Sequence, residues 1–251
     1  MSARRRSSSS SMSSKHDKLP HKHALARKPE KESRLSSGIP GLDSLIGGGF
    51  LTDDVYLVTG GTGTGKTIFC SQFIMEGLKK GEPGVYFSLE EMPEDVMKDA
   101  REFGWDLEKF QKDKLFIMEH QDPFEMADIT SEVRKKVLKM KAKRVVIDST
   151  SIFGMIFQTK HELRKRLYEL IKALKGTGAV TLMTAEITYG SESLSRFNVE
   201  EFVVDGLIVL RYASLGKMAN RTLEVRKMRR TKHSEGIHNM SFSNKGISVD
   251  Q

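Results

Sequence analysis

Short apolar runs and helical patterns alternate along most of the chain. Four segments with apolar residues at helical spacing predict helices; Pro93 suits a first helical turn and Asp128 an N-cap. The runs VYLV and RVVI lack polar alternation, which is expected of parallel strands with helices on both faces. The order predicts an α/β, doubly wound fold with a mostly parallel sheet flanked by helices. The predicted strands are residues 55–59, 85–89, 114–118, 144–148, 179–184 and 206–212, and the predicted helices are 66–80, 93–103, 128–141 and 161–175.

The pattern changes after about Gly206, where helical spacing stops. Residues 221–228, 236–243 and 246–249 predict further strands, joined by turns at 234–236 and 244–246. These segments are expected to extend the sheet with C-terminal antiparallel hairpins.

The net charge of +8 is concentrated at the N-terminus. Residues 1–36 contain ten of the 41 Lys and Arg residues and three of the 33 acids, so the remainder carries 31 basic and 30 acidic residues. Residues 1–35 are serine-rich and lack aromatic residues, a composition that predicts a disordered basic tail. The tail could contact an acidic partner or nucleic acid, and a solvated extension is the more common role. The predicted folded domain is residues 36–251.

Composition also excludes several classes of protein. No run of eighteen apolar residues is present, and the N-terminus lacks the apolar stretch of a signal peptide, so we expect no membrane partner and a cytoplasmic location. The single cysteine, Cys70, excludes an internal disulfide framework and is expected to pack as a small apolar residue.

A glycine-rich segment joins the first predicted strand to the first predicted helix and matches the P-loop pattern G-x-x-x-x-G-K-[ST]. Glycines let backbone N–H groups surround phosphate oxygens, and the helix N-terminus adds positive potential. Lys66 is expected at the β- and γ-phosphates and Thr67 at Mg²⁺. An incidental glycine turn is the alternative. The predicted nucleotide-binding segment is Gly60, Gly61, Thr62, Gly63, Thr64, Gly65, Lys66, Thr67 and Ile68.

Carboxylates follow two other predicted strands. Asp148 ends the strand RVVID, where parallel sheets present ligand-binding residues, and is expected to hold Mg²⁺ through water with Thr67. Glu90 and Glu91 follow the strand GVYFSL, which we expect to neighbour the P-loop strand. One or both would align or deprotonate the attacking water, although adjacent solvated loop residues would look the same.

Together these motifs resemble the KaiC-like branch of the RecA-type ATPases. The match covers residues 36–247 and includes SGIPGLDSLIGGGF before the P-loop, the Glu90-Glu91 pair, VVIDS and RTLEVRKMRRTKH. The resemblance implies ATP binding, Mg²⁺-dependent hydrolysis and a ring-shaped, usually hexameric, homo-oligomer with nucleotide between subunits. The family's clock protein has two such domains where this chain has one, so timekeeping is not implied and the regulatory protein partner is unknown.

The resemblance also assigns roles to residues outside the P-loop. Lys227, Arg229 and His233 would reach the neighbouring subunit's phosphates, with Lys227 and Arg229 contributing to catalysis, and Arg221 would lie near the nucleotide on the same strand. Thr184 resembles the polar sensor of the γ-phosphate. From the residues alone, Lys227 and Arg229 at alternating strand positions share a face and could equally be solvated.

Two functions from different classes remain, beside a third alternative, a nucleotide-binding scaffold that barely hydrolyses. One is a regulatory ATPase whose assembly depends on nucleotide. The other is a recombinase-like or helicase-like ATPase that binds single-stranded nucleic acid through residues 187–198. That loop has two aromatic residues, Tyr189 and Phe197, but its charges Glu192 and Arg196 cancel. A single-strand channel normally adds a basic groove to its aromatic residues, so nucleic acid is possible but not favoured.

Overall fold

The computed structural model describes residues 33–122, 129–215 and 218–250, with backbone only for 213–215 and 218–219. The core is a nine-stranded sheet in the order β11-β10-β9-β8-β3-β7-β6-β4-β5. Within the described ranges the strands are β1 (Arg34–Leu35), β2 (Phe50–Leu51), β3 (Val55–Gly60), β4 (Gly84–Ser88), β5 (Phe116–His120), β6 (Arg144–Asp148), β7 (Val180–Glu186), β8 (Gly206–Leu215), β9 (Met218–Met228), β10 (Ile237–Ser243) and β11 (Gly246–Val249).

Six of these strands are parallel and three are antiparallel. Strands β8, β3, β7, β6, β4 and β5 pair in parallel, while β9, β10 and β11 pair antiparallel in succession. Each connection between two parallel strands crosses over one or the other face of the sheet and returns the chain to the same starting edge. The carboxyl ends of all six strands therefore lie at the opposite edge. The predicted fold class, a RecA-type mostly parallel sheet with C-terminal antiparallel strands, is confirmed.

Helices cover both faces of the sheet. The helices of the described ranges are α1 (Leu42–Leu45), α2 (Lys66–Lys79), α3 (Pro93–Glu102), α4 (Leu107–Lys112), α5 (Ile129–Met140), α6 (Phe153–Ile156), α7 (Lys160–Leu174) and α8 (Glu200–Val203), with a 3-10 turn at Thr150–Ile152. Strand β3 contributes side chains to the apolar clusters on both faces of the sheet. Tyr56 and Val58 pack in the cluster with α2 and α3. Val55 and Leu57 pack in the cluster with α5 and α7. This two-sided burial explains why VYLV is continuously apolar.

Local signals set most helix boundaries. Helix α3 begins at Pro93, and Thr159 caps α7 by accepting a hydrogen bond from the Glu162 amide. The predicted N-cap Asp128 lies outside the described residues. Cys70 is fully buried on α2, as expected.

One prediction about the segment after α3 is wrong, and one helix there was missed. Strand β5 begins at Phe116 and not at Lys114, because Lys114 has a φ of 59° and the Leu115 amide closes the preceding turn on Phe110. Helix α4 was not predicted, although Asp106 caps it by accepting from the Lys109 amide. The Asp106 N-cap could have been recognised from the sequence. The segment is too short, however, for a helical spacing of apolar residues to be recognised in it.

Two boundaries also differ from expectation. Arg34 and Leu35, assigned from sequence to the tail, form β1 against β2, and the Arg34 guanidinium donates to the carbonyls of Ile46 and Gly49. Residues 1–32 of the predicted tail lie outside the described residues. The connection between β9 and β10 spans residues 229–236, longer than the predicted turn at 234–236. The turn at 244–245 is confirmed.

None of the described helices combines the length and the apolar character needed to cross a bilayer.

Candidate functional site

A cleft of about 340 Å³ opens at the carboxyl edge of the parallel strands. It receives side chains at or just beyond the carboxyl ends of β3, β4, β6 and β7, side chains from the start of α2, and one side chain each from the antiparallel strands β9 and β10. Most of the residues predicted for the site from sequence meet here. Its lining is Thr62, Gly63, Gly65, Lys66, Thr67, Ile68, Glu90, Glu91, Asp148, Ser149, Glu186, Arg221 and Phe242.

The P-loop depends on glycine at specific places. Gly63 and Gly65 have φ values of 75° and 104°, in the left-handed region that disfavours side chains. Gly60 is needed for a different reason, since a Cβ there would lie 2.5 Å from the Thr64 hydroxyl and 2.6 Å from the Leu210 carbonyl. The Thr64 hydroxyl in turn donates to the Gly61 carbonyl at 2.8 Å. The loop therefore turns tightly between β3 and α2.

Lys66 begins α2 directly after Gly65. Its Nζ donates to the carbonyls of Gly60 and Gly61, each at 3.1 Å. The ammonium group therefore lies inside the loop, at the N-terminus of a fourteen-residue helix. Positive charge, helix dipole and exposed N–H groups coincide at this point, which is the composition of a phosphate site.

Asp148, at the end of β6, is the centre of a hydroxyl network. One carboxylate oxygen accepts from Thr67 at 2.8 Å and from Tyr86 at 2.6 Å, and the other accepts from Thr184. Tyr86 is fully buried on β4; burial and the adjacent Asp148 charge raise the pKa of its hydroxyl well above the usual range, so it remains a donor. Three donors fix the orientation of a carboxylate that is itself only 8% exposed.

This geometry fits a Mg²⁺ ion held together with phosphate. Thr67 and Asp148 supply adjacent hard oxygen ligands, the type that Mg²⁺ prefers. Among the described residues no group of three His, Cys, Asp or Glu side chains could hold a metal by itself. Such an ion would therefore need phosphate oxygens and water to complete its coordination.

Glu90 and Glu91 line the mouth of the cleft, but not for the predicted reason. Strand β4 does not neighbour β3; β7 and β6 lie between them. The glutamates reach the cleft because β4 ends at the same edge of the sheet and pairs with β6, which carries Asp148. Partial desolvation raises the pKa of both, with Glu186 and Asp148 adding repulsion at Glu90 and Asp148 adding it at Glu91.

Arg221 lies beside the P-loop of its own chain. Strand pairing sets Arg221 opposite Tyr212, and its guanidinium lies 4.8 Å from the Tyr212 ring centroid and 4.3 Å from that of Phe242. The Tyr212 hydroxyl donates to the Gly63 carbonyl at 2.9 Å. Two aromatic faces therefore hold a cation at the loop, an arrangement that favours a fixed position.

The structure does not bring Lys227, Arg229 or His233 to this cleft. The Arg229 amide donates to Asp205, whose own amide donates to Val55 at the start of β3. Lys227 donates to the carbonyls of Glu201 and Val204, and the His233 ring contacts the Ser234 carbonyl. Arg229 directly follows the end of β9 but stays close to Lys227, whose pKa is lowered by burial and by the Arg229 charge.

Thr184 is fully buried, and its hydroxyl donates to Asp148. Its carbonyl accepts from Thr150 at 2.8 Å, in the turn that follows β6. A sensor role, which stays a prediction, would therefore act through Asp148.

Four residues at the site were not predicted. Glu186 lies two residues beyond the predicted end of β7, and Ser149 follows Asp148, so both could have been found by extending each strand. From the sequence alone, Tyr86 is indistinguishable from an ordinary core residue of β4. Phe242 comes from a distant antiparallel hairpin, and no local pattern marks it.

Comparisons with known proteins agree with the motifs. A family model described as the KaiC ATPase matches residues 35–251. The circadian clock oscillator protein KaiC of Synechococcus elongatus is 36% identical over 229 residues, covering 86% of this chain and 44% of that protein. The circadian clock protein KaiC3 of Synechocystis sp. is 32% identical over 228 residues, with 86% and 44% covered. This chain thus spans less than half the length of these curated relatives.

A solved structure matches this chain over that structure's own full length. The crystal structure of a KaiC-like protein from the hyperthermophilic archaeon Pyrococcus horikoshii OT3 superimposes with a TM-score of 0.81 at 36% identity. The match covers 88% of this chain and 100% of that one.

Proposed function

The chain belongs to the KaiC family of ATPases, and from that membership we propose that it binds ATP with Mg²⁺ in the P-loop cleft and hydrolyses it. We further propose that it works as a regulatory switch in a ring of identical subunits, six being the expected number. The observation that carries the proposal is the meeting of Lys66, the Thr67–Asp148 pair and Glu90–Glu91 in one cleft.

Phosphate binding would use groups already in place. The loop after β3 presents its N–H groups at the N-terminus of α2, and Lys66 would exchange its contacts with the Gly60 and Gly61 carbonyls for phosphate oxygens. Thr67 and Asp148 would hold Mg²⁺, which when bound neutralises phosphate charge. Tyr86 and Thr184 would keep the Asp148 carboxylate oriented toward that position.

Glu90 and Glu91 would act on the attacking water. The pKa of each carboxyl group is raised. Each carboxylate therefore accepts a proton more readily than an ordinary glutamate does. The negative charges of Asp148 and Glu186 support this assignment because they maintain the shift.

The position of Arg229 supports a contact between subunits. It lies at the amino end of β3, and a six-residue strand places the P-loop on the order of 20 Å away, beyond the reach of one arginine side chain. Its guanidinium is half exposed and is held by the buried carboxylate of Asp205 at 3.4 Å. A phosphate contact by Arg229 therefore has to be made with a neighbouring subunit, where it would stabilise transition-state charge.

The loop at residues 187–198 gives little support to the nucleic-acid alternative. Tyr189 is fully exposed, but Phe197 packs against Gly154, where an added Cβ would lie 1.9 Å from the ring. The Arg196 guanidinium is paired with Glu186 at 3.0 Å. One aromatic residue and no unpaired cation in this loop do not make a stacking channel.

Two variants separate binding from chemistry. Lys66→Ala should lose ATP binding in a calorimetric titration, whereas Lys79→Ala, an exposed lysine on the same helix, should bind normally. Glu90→Gln combined with Glu91→Gln should bind ATP and release no phosphate. Normal ATP affinity in Lys66→Ala would reject the P-loop assignment, and normal hydrolysis in the double variant would remove both glutamates from the chemistry.

A further inference from the structure

The carboxylate of Asp148 is occupied mainly by hydroxyl groups of its own chain. A carboxylate offers about four lone-pair positions to hydrogen-bond donors or to a metal ion. Three of these positions are taken: Oδ2 accepts from Thr67 at 2.8 Å and from Tyr86 at 2.6 Å, and Oδ1 accepts from Thr184. Oδ2 therefore has both of its positions filled, and Oδ1 keeps one.

The Tyr86 hydroxyl is fixed by strand pairing. In the parallel pairing of β4 with β6, Tyr86 lies opposite Val146, and Ser88 lies opposite Asp148. Val146 and Asp148 are two residues apart and share a face of the sheet, so Tyr86 is a diagonal neighbour of Asp148 on that face. Tyr86 is also fully buried in the apolar cluster that contains Val146. Its ring cannot turn away from Asp148 without opening the core.

Thr67 differs from Tyr86, because its side chain lines the cleft. A hydroxyl that donates its hydrogen still has lone pairs with which it can bind a cation. Thr67 can therefore hold an ion directly while it donates to Asp148. Tyr86 lies behind the carboxylate, so its hydroxyl occupies a position on Oδ2 and offers nothing to the cleft.

This arrangement prevents both Asp148 oxygens from binding the same ion. A bidentate contact needs a free position on each oxygen, and Oδ2 has none. Freeing one would break a hydrogen bond and leave a donor without a partner, which for the buried Tyr86 hydroxyl is unfavourable. Among the described residues, no cluster of three His, Cys, Asp or Glu side chains supplies substitute ligands.

Mg²⁺ and Ca²⁺ differ in what they require of such a site. Mg²⁺ keeps several of its waters and is usually bound through one or two carboxylates together with phosphate oxygens. Ca²⁺ takes about six to eight oxygen ligands, and carboxylates often bind it through both oxygens. A site with few protein oxygens and no bidentate carboxylate therefore suits Mg²⁺ better than Ca²⁺.

We propose that the Tyr86 hydroxyl makes the cleft selective for Mg²⁺ over Ca²⁺, because it fills the Oδ2 position that a bidentate contact with Ca²⁺ would need. The inference rests on the proposed function and deepens it, since it concerns the metal that accompanies the nucleotide. Tyr86 acts through Asp148 and is therefore a positioning residue.

Metal titration tests this selectivity without measuring hydrolysis. MgCl₂ or CaCl₂ is titrated calorimetrically into protein that carries a non-hydrolysable ATP analogue, after the unbound analogue has been removed. The wild type should bind Mg²⁺ at least about tenfold more tightly than Ca²⁺. In Tyr86→Phe, the ratio of the Ca²⁺ Kd to the Mg²⁺ Kd should fall about tenfold, an effect of the size that partners of metal ligands usually have.

Two controls separate the Oδ2 position from other effects. Tyr56→Phe removes the hydroxyl of another buried tyrosine in the same apolar cluster, near the start of β3, and should change neither Kd. Thr184→Val frees a position on Oδ1 only, so a bidentate contact stays blocked. Both ions should bind more weakly to Thr184→Val, with the ratio unchanged. Urea unfolding of every variant checks the fold, and Tyr86→Met is a second variant without the hydroxyl if Tyr86→Phe does not fold.

Three results would overturn the inference alone. These are an unchanged ratio in a folded Tyr86 variant, an equal fall of the ratio in Thr184→Val, and a wild type that binds Ca²⁺ as tightly as Mg²⁺. A wild type that does not bind the analogue, or that binds it without either metal, would overturn the proposed function and this inference with it.

Discussion

At the mouth of the cleft, the Glu90 carboxylate faces two further carboxylates, those of Glu186 and Asp148. Partial burial and this repulsion raise its pKa above the usual 4.5, outweighing the Ser149 hydroxyl and Lys66. A carboxyl group whose pKa is raised by folding costs stability while it is ionised, and the cost disappears as pH falls through the raised pKa. The arrangement that suits Glu90 for proton transfer therefore destabilises the free protein.

We expect Glu90→Gln to raise the melting temperature of the nucleotide-free protein at neutral pH. The gain should stay below about 1 kcal/mol, because interactions between exposed charges are screened. It should vanish at acidic pH, where Glu90 of the wild type is also protonated. Thermal unfolding across pH measures this.

Glu94→Gln is the matched control for this prediction. Glu94 lies in the first turn of α3, where a negative charge is favourable, so its removal should not stabilise the protein. Equal gains in melting temperature from Glu90→Gln and Glu94→Gln would mean that removing any negative charge is enough, and that the repulsion inside the cleft is not the cause.

At the scale of the structural elements, the connection from β3 through the P-loop to α2 is tightly packed at Gly60 and open at Gly61. Gly60 and Gly61 are adjacent, and neither has a left-handed φ. They differ in surroundings: a Cβ at Gly60 would lie 2.5 Å from the Thr64 hydroxyl, whereas the nearest atom to a Cβ at Gly61 is 4.0 Å away. The same chemical change at the two positions therefore tests the packing of the loop.

Gly60→Ala should destabilise the protein by about 1–3 kcal/mol, the usual cost of overpacking, and should disorder the loop that holds Lys66. Gly61→Ala should stay within about 0.5 kcal/mol of the wild type. Urea unfolding of the nucleotide-free variants measures both. Equal losses at the two positions would show that the contact with Leu210 and Thr64 does not constrain the loop.

At the scale of the assembly, Asp205 anchors Arg229 at the amino edge of the sheet. It is 3% exposed, binds Lys175 with both oxygens at 2.8 Å, and also holds Arg229. Arg229 is thus anchored to the start of β3 in one chain while its phosphate target would belong to the next. Hydrolysis should then depend on assembly.

Mixing two inactive variants should restore part of the activity. Lys66→Ala lacks a working P-loop and Arg229→Ala lacks the cation, but a mixed interface can join the intact P-loop of one to the intact Arg229 of the other. Random mixing in equal amounts gives such interfaces in about one quarter of cases in a head-to-tail ring. Phosphate release by the mixture, compared with the sum of the separate variants, measures this.

Co-assembly of the two variants must be verified by sedimentation. If the mixture co-assembles and releases no more phosphate than the separate variants, Arg229 does not act across the interface. Arg229→Lys offers a second check, because it keeps the charge and loses the bidentate geometry.

The sequence was sufficient wherever the determining residues are close together along the chain. The P-loop, the start of α2 at Lys66 and the position of Asp148 at the end of β6 all follow from short patterns, because glycine angles, helix starts and buried strands depend mainly on local residues. The parallel sheet could also be predicted, since helices between strands force crossover connections. The Asp106 cap of α4 was a local signal that the prediction missed.

The tertiary structure alone decided which strands are neighbours in the sheet and which distant side chains meet. Strand order separates β4 from β3 by two strands, yet the common carboxyl edge still brings Glu90 to the cleft. Tyr86 reaches Asp148 through strand pairing, Phe242 covers Gly65 from a distant hairpin, and Arg229 lies at the opposite edge from its own P-loop. These contacts join residues 62 to 177 positions apart, and packing on both faces of the sheet selects them. No pattern of neighbouring residues encodes that selection, so it was not available from the sequence.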